Sequence, residues 1–411
     1  MSFLYNLFIK IYLSAIYFLS FFDKKARKWR KGREDLFNEL SDQCGPAQEI
    51  IWFHAASLGE FEQGRPVIEA LSKKKPGYKI LLTFFSPSGY EVRKNYPMAD
   101  FIFYLPIDTR ANAARFIQVV NPKIAIFIKY EFWFNYIAEL HKRQIPLFLI
   151  SAIFRADQHF FRWYGSWFRK MLDRVTFFFV QDKHSQELLQ SAGIKRVLIS
   201  GDTRFDRVFE LSRHPGTLPD IEKFIMDSKV LLLGSSWAPD EELVSNILKK
   251  FPGLKIIIAP HEVDEGRIGR IEEKFRSYYP QRYSLIGTGS ESNARILIID
   301  SIGLLSGLYQ YCHIAFIGGG FGKGIHNILE ALTFGKPVIF GPNYHKFREA
   351  KDILDLGGGF SITSHPELSD LIDRLLHDDK GYAIISKKCK EYIEHNKGAT
   401  DIILQKILES L

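Results

Sequence analysis

Residues 50–60 read IIWFHAASLGE, a short apolar run that leads into a turn and the start of a helix. The run Ile50–Phe53 is β-branched and aromatic, and the turn after it contains Ser57 and Gly59. Such a run is typical of a strand buried on both faces of a parallel sheet. The stretch therefore predicts one strand followed by one helix, with the turn at the carboxyl end of the strand.

The same pattern recurs along the chain and predicts two doubly wound α/β domains, joined near residues 205–220. Ligands of such sheets bind at the carboxyl ends of the strands, so two domains face to face predict a cleft. In chain order, the further predicted strands are Lys79–Phe85, Phe101–Leu105, Ile124–Ile128, Leu147–Ile150, Thr176–Val180 and Val197–Ser200, then Val230–Leu233, Ile256–Ala259, Ile296–Ile299, Ala315–Ile317 and Val338–Phe340.

The composition is that of a globular protein with a local basic excess. Of 411 residues, 46% are hydrophobic and 25% are charged, which excludes a disordered or low-complexity chain. The formal charge is +8, and the first 33 residues hold eight basic residues against one acid. Because the rest of the chain is nearly neutral, no nucleic-acid partner is expected. The 3 cysteines are widely spaced, which predicts neither a disulfide framework nor a zinc site.

Residues 3–22 read FLYNLFIKIYLSAIYFLSFF, which is about the length that crosses a bilayer. A basic cluster at residues 24–33 follows, so a spanning helix would leave the rest of the chain cytoplasmic. The cluster also suits a helix lying on anionic lipid. A cleaved signal peptide fits less well, because its charge should precede the apolar run. We expect a membrane anchor within residues 1–33, spanning or monotopic, and a buried core helix is the alternative.

Glu60 stands at the start of the helix that follows the first predicted strand, beside the expected ligand edge. A carboxylate there can act as a general base toward a hydroxyl. In the alternative interpretation, Glu60 only complements the positive end of the helix dipole. Position alone leaves both open, whereas His54 within the strand is interpreted as structural.

Two more stretches of the first half leave alternatives open. Ser86 and Ser88 flank Pro87 at a predicted helix start, where free N–H groups either hold a phosphate or form a plain cap. Residues 155–170 interleave six aromatic side chains with four cations. That mixture fits a lipid-facing or lipid-phosphate-binding surface, or an amphipathic core helix. Stacking on single-stranded nucleic acid is a third option, which the nearly neutral body disfavours.

The glycine-rich stretch 318–324 is the richest candidate binding loop of the second half. It reads GGGFGKG, and its glycines let the backbone approach a ligand closely. Asn327 can cap the next helix, and Glu330 can accept hydrogen bonds from ribose hydroxyls. Neither the dinucleotide fingerprint nor the P-loop pattern is satisfied, so a dehydrogenase and a P-loop NTPase are not supported. Two other strand ends carry Ser235-Ser236 and Pro260-His261.

Together and in this order, the motifs resemble the 3-deoxy-D-manno-octulosonic acid (Kdo) transferases of bacterial lipid A biosynthesis. The resemblance runs from the anchor to about residue 360. It implies a GT-B fold, with Rossmann-like domains at 45–208 and 209–411 on either side of a cleft and the last helix packed on the first domain. The segments that carry it are Ala56–Glu60, Glu131–Trp133, Ser151 with Arg155, Gly201–Asp206, and Gly319 with His326, Asn327 and Glu330.

The resemblance implies an inverting transfer of Kdo from CMP-Kdo to a hydroxyl of the lipid A precursor, lipid IVA. The reaction is placed at the cytoplasmic face of the inner membrane, with membrane lipid as a further partner. Glu60 is then the catalytic base, and no metal or other cofactor is expected. A GT-B transferase that uses a UDP-sugar on another membrane lipid is the alternative. The implied donor-binding residues are Arg204, Ser235, Ser236, Pro260, His261, Gly319, Gly320, Asn327 and Glu330, and the implied acceptor-binding residues are Ser57, Gly59, Ser86, Ser88, Glu131 and Arg155.

Overall fold

The computed structural model describes residues 2–45, 48–286 and 294–411. The chain divides into two compact units, Met1–Arg207 with Lys397–Leu411 and Val208–Asn396. Each unit contains one seven-stranded parallel sheet. This confirms the predicted class of two α/β domains.

The sheet of the first unit consists of strands β1 to β7. They are β1 (Ile50–Ala55), β2 (Lys79–Phe84), β3 (Phe101–Tyr104), β4 (Ile124–Ile128), β5 (Leu147–Ala152), β6 (Phe177–Val180) and β7 (Val197–Ile199). Their order in the sheet is β3-β2-β1-β4-β5-β6-β7. The order reverses between β1 and β4, which is the position where open α/β sheets bind ligands at the carboxyl ends of the strands.

The sheet of the second unit consists of strands β8 to β14. They are β8 (Val230–Ser236), β9 (Lys255–Pro260), β10 (Gln281–Arg282), β11 (Ile296–Ile298), β12 (Ile314–Ile317), β13 (Val338–Phe340) and β14 (Gly359–Ser361). Their order is β10-β11-β9-β8-β12-β13-β14, with the reversal between β8 and β12. The sequence did not predict β10 and β14, because neither is an apolar run and both are at most three residues long.

In the described chain, three helices precede β1, most of the others lie between successive strands, and three follow β14. The helices are α1 (Ser2–Leu19), α2 (Lys24–Lys31), α3 (Leu36–Gln43), α4 (Leu58–Lys74), α5 (Pro87–Arg93), α6 (Arg110–Val120), α7 (Phe134–Lys142), α8 (Ser166–Leu172), α9 (Lys183–Ser191), α10 (Thr203–Arg213), α11 (Pro219–Ile225), α12 (Ala238–Val244), α13 (Ile247–Lys250), α14 (Glu265–Lys274), α15 (Leu305–Leu308), α16 (Leu329–Leu332), α17 (Arg348–Leu356), α18 (His365–His377), α19 (Asp379–Asn396) and α20 (Ala399–Leu408).

Both faces of the first sheet are covered by apolar side chains. Along β1, Trp52 packs into one core, whereas Ile51 and Phe53 pack into the other, and all three are fully buried. Strand residues alternate between the two faces of a sheet, so an uninterrupted apolar strand is what a sheet covered on both sides requires. Helix α20 contributes Ile403 and Ile407 to the second of these cores, and so residues 397–411 lie with the first unit.

Helix α1 packs along the first unit with one side only. Ile9 is buried, and Tyr12 and Ile16 pack with it around the side chain of Trp29. The hydroxyl of Tyr5 donates a hydrogen bond to the buried carboxylate of Asp108 at 2.6 Å. These contacts run along most of the helix and hold it against the protein.

The opposite side of α1 is apolar and exposed. It presents Phe3, Leu4, Phe8, Ile11 and Phe18 to solvent. Among the described residues, α1 is the one helix long and apolar enough to cross a membrane. The basic helix α2 follows it directly, with Lys24, Lys25, Lys28 and Lys31 exposed.

Candidate active site

Glu60 lies in the first turn of α4, directly after β1 at the sheet's reversal point. The backbone N–H of Ser57 donates to the Glu60 carboxylate at 3.0 Å, and the Ser57 hydroxyl lies 3.4 Å from the same oxygen. The side chain is half-buried. Burial raises the pKa of Glu60, and the negative charge of Glu131 raises it further. A carboxylate with a raised pKa is a better proton acceptor than an ordinary one.

Glu131 follows β4, the strand next to β1, and lies in a buried hydrogen-bonded group. The residue is 7% exposed. Its Oε2 lies 3.1 Å from Nε2 of His54 and accepts a hydrogen bond from the indole N–H of Trp133 at 2.6 Å. The Nδ1 atom of His54 lies 2.9 Å from the hydroxyl of Thr83. His54, Thr83, Glu131 and Trp133 thus form one hydrogen-bonded group, and two of its members, Glu131 and His54, act electrostatically on Glu60.

Sequence reasoning named Glu131 but did not find the group around it. His54 and Thr83 are directly paired in the register of β1 and β2. The signal visible in the sequence was a polar residue inside each of two apolar runs, whereas the pairing of these two residues was not visible. The interpretation of His54 as a structural residue agrees with its full burial.

The other predicted acceptor residues lie in three places at the same sheet edge. Gly59 faces open space, because an added Cβ would meet nothing within 4 Å. Ser86 caps α5, and its hydroxyl lies 3.0 Å from that of Ser88. Arg155 is exposed, 3.5 Å from Asp157, and its guanidinium lies 5.9 Å from the ring centroid of Tyr130.

Arg204 lies in the first unit, although it was predicted to bind the donor together with loops of the second. Its Nε donates to the carboxylate of Asp202 at 2.8 Å, and its backbone N–H donates to the same carboxylate at 2.9 Å. Asp202 is nearly buried and fixes the guanidinium at the start of α10. The pairing orients the cation but also neutralises part of its charge.

In the second unit, the glycine run after β12 lies against the end of β8. A Cβ on Gly318 would lie 2.2 Å from the carbonyl oxygen of Ser235, and a Cβ on Gly320 would lie 2.5 Å from the backbone nitrogen of Gly341. The carboxylate of Asp240 accepts from the backbone N–H of Gly319 at 3.0 Å. Only glycine fits these backbone contacts. The loop is therefore closely packed and fixed in place.

Three aromatic rings stack beside the glycine run. The centroid of His261 lies 4.8 Å from that of Trp237 and 4.5 Å from that of His326. The indole N–H of Trp237 donates to Nε2 of His326 at 3.2 Å. Burial lowers the pKa of His326, and the neighbouring His261 lowers it further. Sequence reasoning named His261 but missed Trp237, which stands in an ordinary position after a strand.

The remaining predicted donor residues differ in how accessible they are. Ser236 is buried, and its hydroxyl donates to Glu241 at 2.8 Å, so this hydroxyl is directed into the protein. Asn327 accepts from the backbone N–H of Leu329 and donates to Glu330 at 3.1 Å. The helix that Asn327 was expected to cap, α16, has only four residues. Pro260 is the last residue of β9 and is buried.

Comparison with known proteins agrees with this architecture. Residues 27–207 match a family model described as 3-deoxy-D-manno-octulosonic-acid transferase (kdotransferase). The 3-deoxy-D-manno-octulosonic acid transferase of Haemophilus influenzae is 26% identical over 407 residues, which cover 96% of this chain and 94% of the relative. The enzyme of the same name from Aquifex aeolicus is 27% identical, over 82% of this chain and 89% of the relative.

Among solved structures, the chain is similar to the UDP-GlcNAc 2-epimerase of Neisseria meningitidis. The TM-score is 0.62, with 17% sequence identity over 88% of this chain and 100% of the other. A likeness at this identity concerns the fold alone. The fold is GT-B, as the resemblance had implied.

Proposed function

Because the chain is a glycosyltransferase related to the Kdo transferases, we propose that it transfers Kdo from CMP-Kdo to a hydroxyl of the lipid A precursor, lipid IVA. The observation that carries the proposal is the half-buried Glu60 at the point where the strand order reverses. Its pKa is raised by burial and by the negative charge of Glu131. The glycine run and the stacked rings of the second unit support a nucleotide-binding role for that unit.

In the proposed reaction, Glu60 takes the proton of the acceptor hydroxyl while the oxygen of that hydroxyl attacks the anomeric carbon of Kdo. The bond between that carbon and the phosphate oxygen of CMP breaks, and CMP leaves with the electron pair. A single displacement inverts the anomeric configuration. Negative charge grows on the leaving phosphate, where the ring of His261 can stabilise it.

The pH dependence of the reaction tests the environment of Glu60. The base works only when deprotonated, so activity falls as the pH drops through its pKa. Because burial and Glu131 raise that pKa, we expect the acidic limb of kcat/KM above the ordinary range of a glutamate. Glu131→Gln removes one of the two causes, and the limb should move to lower pH. A limb that stays in place or moves upward in this variant would contradict the assigned coupling.

We also propose that α1 attaches the protein to the cytoplasmic face of the inner membrane, lying along the surface. Tyr5, Ile9 and Ile16 contact the protein along most of the helix, which leaves only its outer side for lipid. The exposed lysines of α2 suit anionic headgroups. An in-plane helix with one apolar side satisfies both sets of contacts.

Charges on the outer side of α1 should weaken this attachment. We expect the double variant Phe8→Asp, Ile11→Asp to lower partition into anionic vesicles at least tenfold, roughly the loss of one large buried apolar side chain. Both side chains are exposed, so the fold should persist. Ile384→Asp, at an exposed apolar residue of α19, is the matched control and should bind as the wild type does. Equal binding of the double variant and the control would remove α1 from this role.

The donor is tested by competition between nucleotides. Purified protein with lipid IVA in detergent receives CMP-Kdo or a panel of UDP-sugars, and release of CMP or UDP is followed. We expect CMP release that depends on lipid IVA. Release of UDP with no release of CMP would favour a transferase that uses a UDP-sugar.

A further inference from the structure

Residues 155–170 carry an exposed aromatic tip, Arg162-Trp163-Tyr164, whose role the proposed reaction leaves open. Trp163 is 91% exposed, and Tyr164 is 42% exposed. The segment is not one helix, because it contains a single 3₁₀ turn, His159–Phe161, and then the start of α8. A tryptophan exposed to this degree is uncommon in soluble proteins, where tryptophan is highly buried on average.

The aromatic tip is held rigidly. The guanidinium of Arg169 donates to the carbonyl oxygens of Phe160 at 3.0 Å and of Arg162 at 3.1 Å. Gly165 is packed so closely that a Cβ would lie 2.2 Å from the carbonyl oxygen of His159. Phe160 is buried beside the ring of Phe154. The exposure of Trp163 is therefore built into the structure of the segment.

The segment also packs against the helix proposed as the membrane anchor. The ring centroids of Trp167 and Tyr5 of α1 lie 6.2 Å apart. A cavity of about 370 Å³ is lined by Tyr5 together with His159, Phe160 and Trp167. The aromatic tip thus belongs to the same surface region as the N-terminal part of α1, where Phe3 and Leu4 are exposed.

The charge of the segment suits an anionic surface. Between residues 155 and 170 there are four cations and one acid, Asp157. In the sequence, Arg162 precedes the two exposed rings and Lys170 follows them, and both cations are exposed. Tryptophan and tyrosine favour the headgroup region of a bilayer, and cations beside them attract anionic lipid.

We propose that the aromatic tip is a second membrane contact, which inserts Trp163 and Tyr164 among the headgroups of an anionic bilayer. The proposal rests on the membrane attachment by α1. Two separate contacts fix the orientation of the first unit on the surface, whereas one helix allows it to roll. The ring centroid of Phe160, which precedes the tip in the chain, lies 4.7 Å from that of Phe132, the sequence neighbour of Glu131.

Environment-sensitive labels on the full-length protein test this. Cys44, Cys312 and Cys389 are buried, so a new surface cysteine can be labelled selectively with a nitrobenzoxadiazole dye. Labels are placed by Trp163→Cys in the tip, by Phe8→Cys on α1, and by Tyr279→Cys at an exposed ring of the second unit. With vesicles of phosphatidylethanolamine and phosphatidylglycerol, we expect a blue shift and a several-fold rise in emission at positions 163 and 8, and no change at 279.

The outcomes separate the two proposals. A response at position 8 without one at 163 overturns the second contact and leaves the anchor intact, whereas silence at both positions overturns both. A blue shift at 163 that appears without vesicles and grows with protein concentration indicates self-association and also overturns the proposal.

A substitution without any label gives an independent measurement. We expect Trp163→Ser to lower vesicle partition about tenfold, the change expected for one large side chain removed from the interface. Tyr279→Ser, which removes a ring that is 71% exposed from the second unit, should leave partition unchanged. Equal partition of the two variants would contradict the second contact.

Discussion

Glu60→Gln will lower the turnover of Kdo transfer by about 10²–10⁴-fold, the contribution of a positioned general base. Glutamine has nearly the same shape and can still accept the hydrogen bond that the backbone N–H of Ser57 donates at 3.0 Å. The helix start is therefore kept, and what is lost is the capacity to take a proton. Because the proton is transferred in the transition state, kcat should fall while KM for donor and acceptor changes little. Initial rates at saturating donor and acceptor measure this directly.

Glu62→Gln on the same helix is the matched control. Glu62 forms ion pairs with Arg93 at 2.6 Å and Arg65 at 3.5 Å on the surface of α4. Its substitution removes one negative charge two residues from Glu60 without touching the proposed base. We expect nearly normal turnover. If the Glu60 variant keeps the same turnover as this control, Glu60 serves only as a helix cap.

Gly320→Ala will lower kcat/KM for CMP-Kdo by about 100-fold or more. A Cβ at this position would lie 2.5 Å from the backbone nitrogen of Gly341 and 2.8 Å from its Cα. The neighbours are backbone atoms, so one of the two loops must move. A displacement of about 1 Å in a positioned site is enough for a 10²-fold loss. Steady-state kinetics with varied CMP-Kdo should show the change mainly in the donor KM.

Gly322→Ala, in the same loop, separates crowding from the mere loss of a glycine. A Cβ on Gly322 would lie 3.5 Å from the nearest atom, the carbonyl oxygen of Gly319, which is an ordinary contact. This variant should bind the donor nearly as well as the wild type. Equal kinetics of the two alanine variants would show that the glycine run does not position the donor.

Most of the fold was predictable because buried parallel strands carry their signal locally. Residues Ile50–Phe53 and Val338–Phe340 are short apolar runs, and the structure places a strand at each. Strand β14 was not predicted because its one apolar residue, Phe360, stands between Gly359 and Ser361 and forms no apolar run. The order of strands in each sheet depends on contacts between distant segments, which a single sequence does not display.

The candidate site was predictable only in part, for a related reason. Glu60 could be named because its position after β1 is a local property. The group around Glu131 depends on the register that pairs His54 with Thr83, and that pairing exists only in the folded sheet. The packing of α1 on the protein likewise depends on Asp108, a residue more than 100 positions away from Tyr5.

The central claim is that this chain moves Kdo onto a lipid, and mass spectrometry of the acceptor tests it most directly. Purified wild-type protein is incubated in detergent with lipid IVA and CMP-Kdo generated in situ. The lipid is then extracted, and its molecular mass is measured by mass spectrometry. We predict that its mass rises by whole Kdo residues and that omission of CMP-Kdo abolishes the product. An unchanged lipid IVA from folded protein, with UDP-sugars consumed in a parallel reaction, would contradict the account.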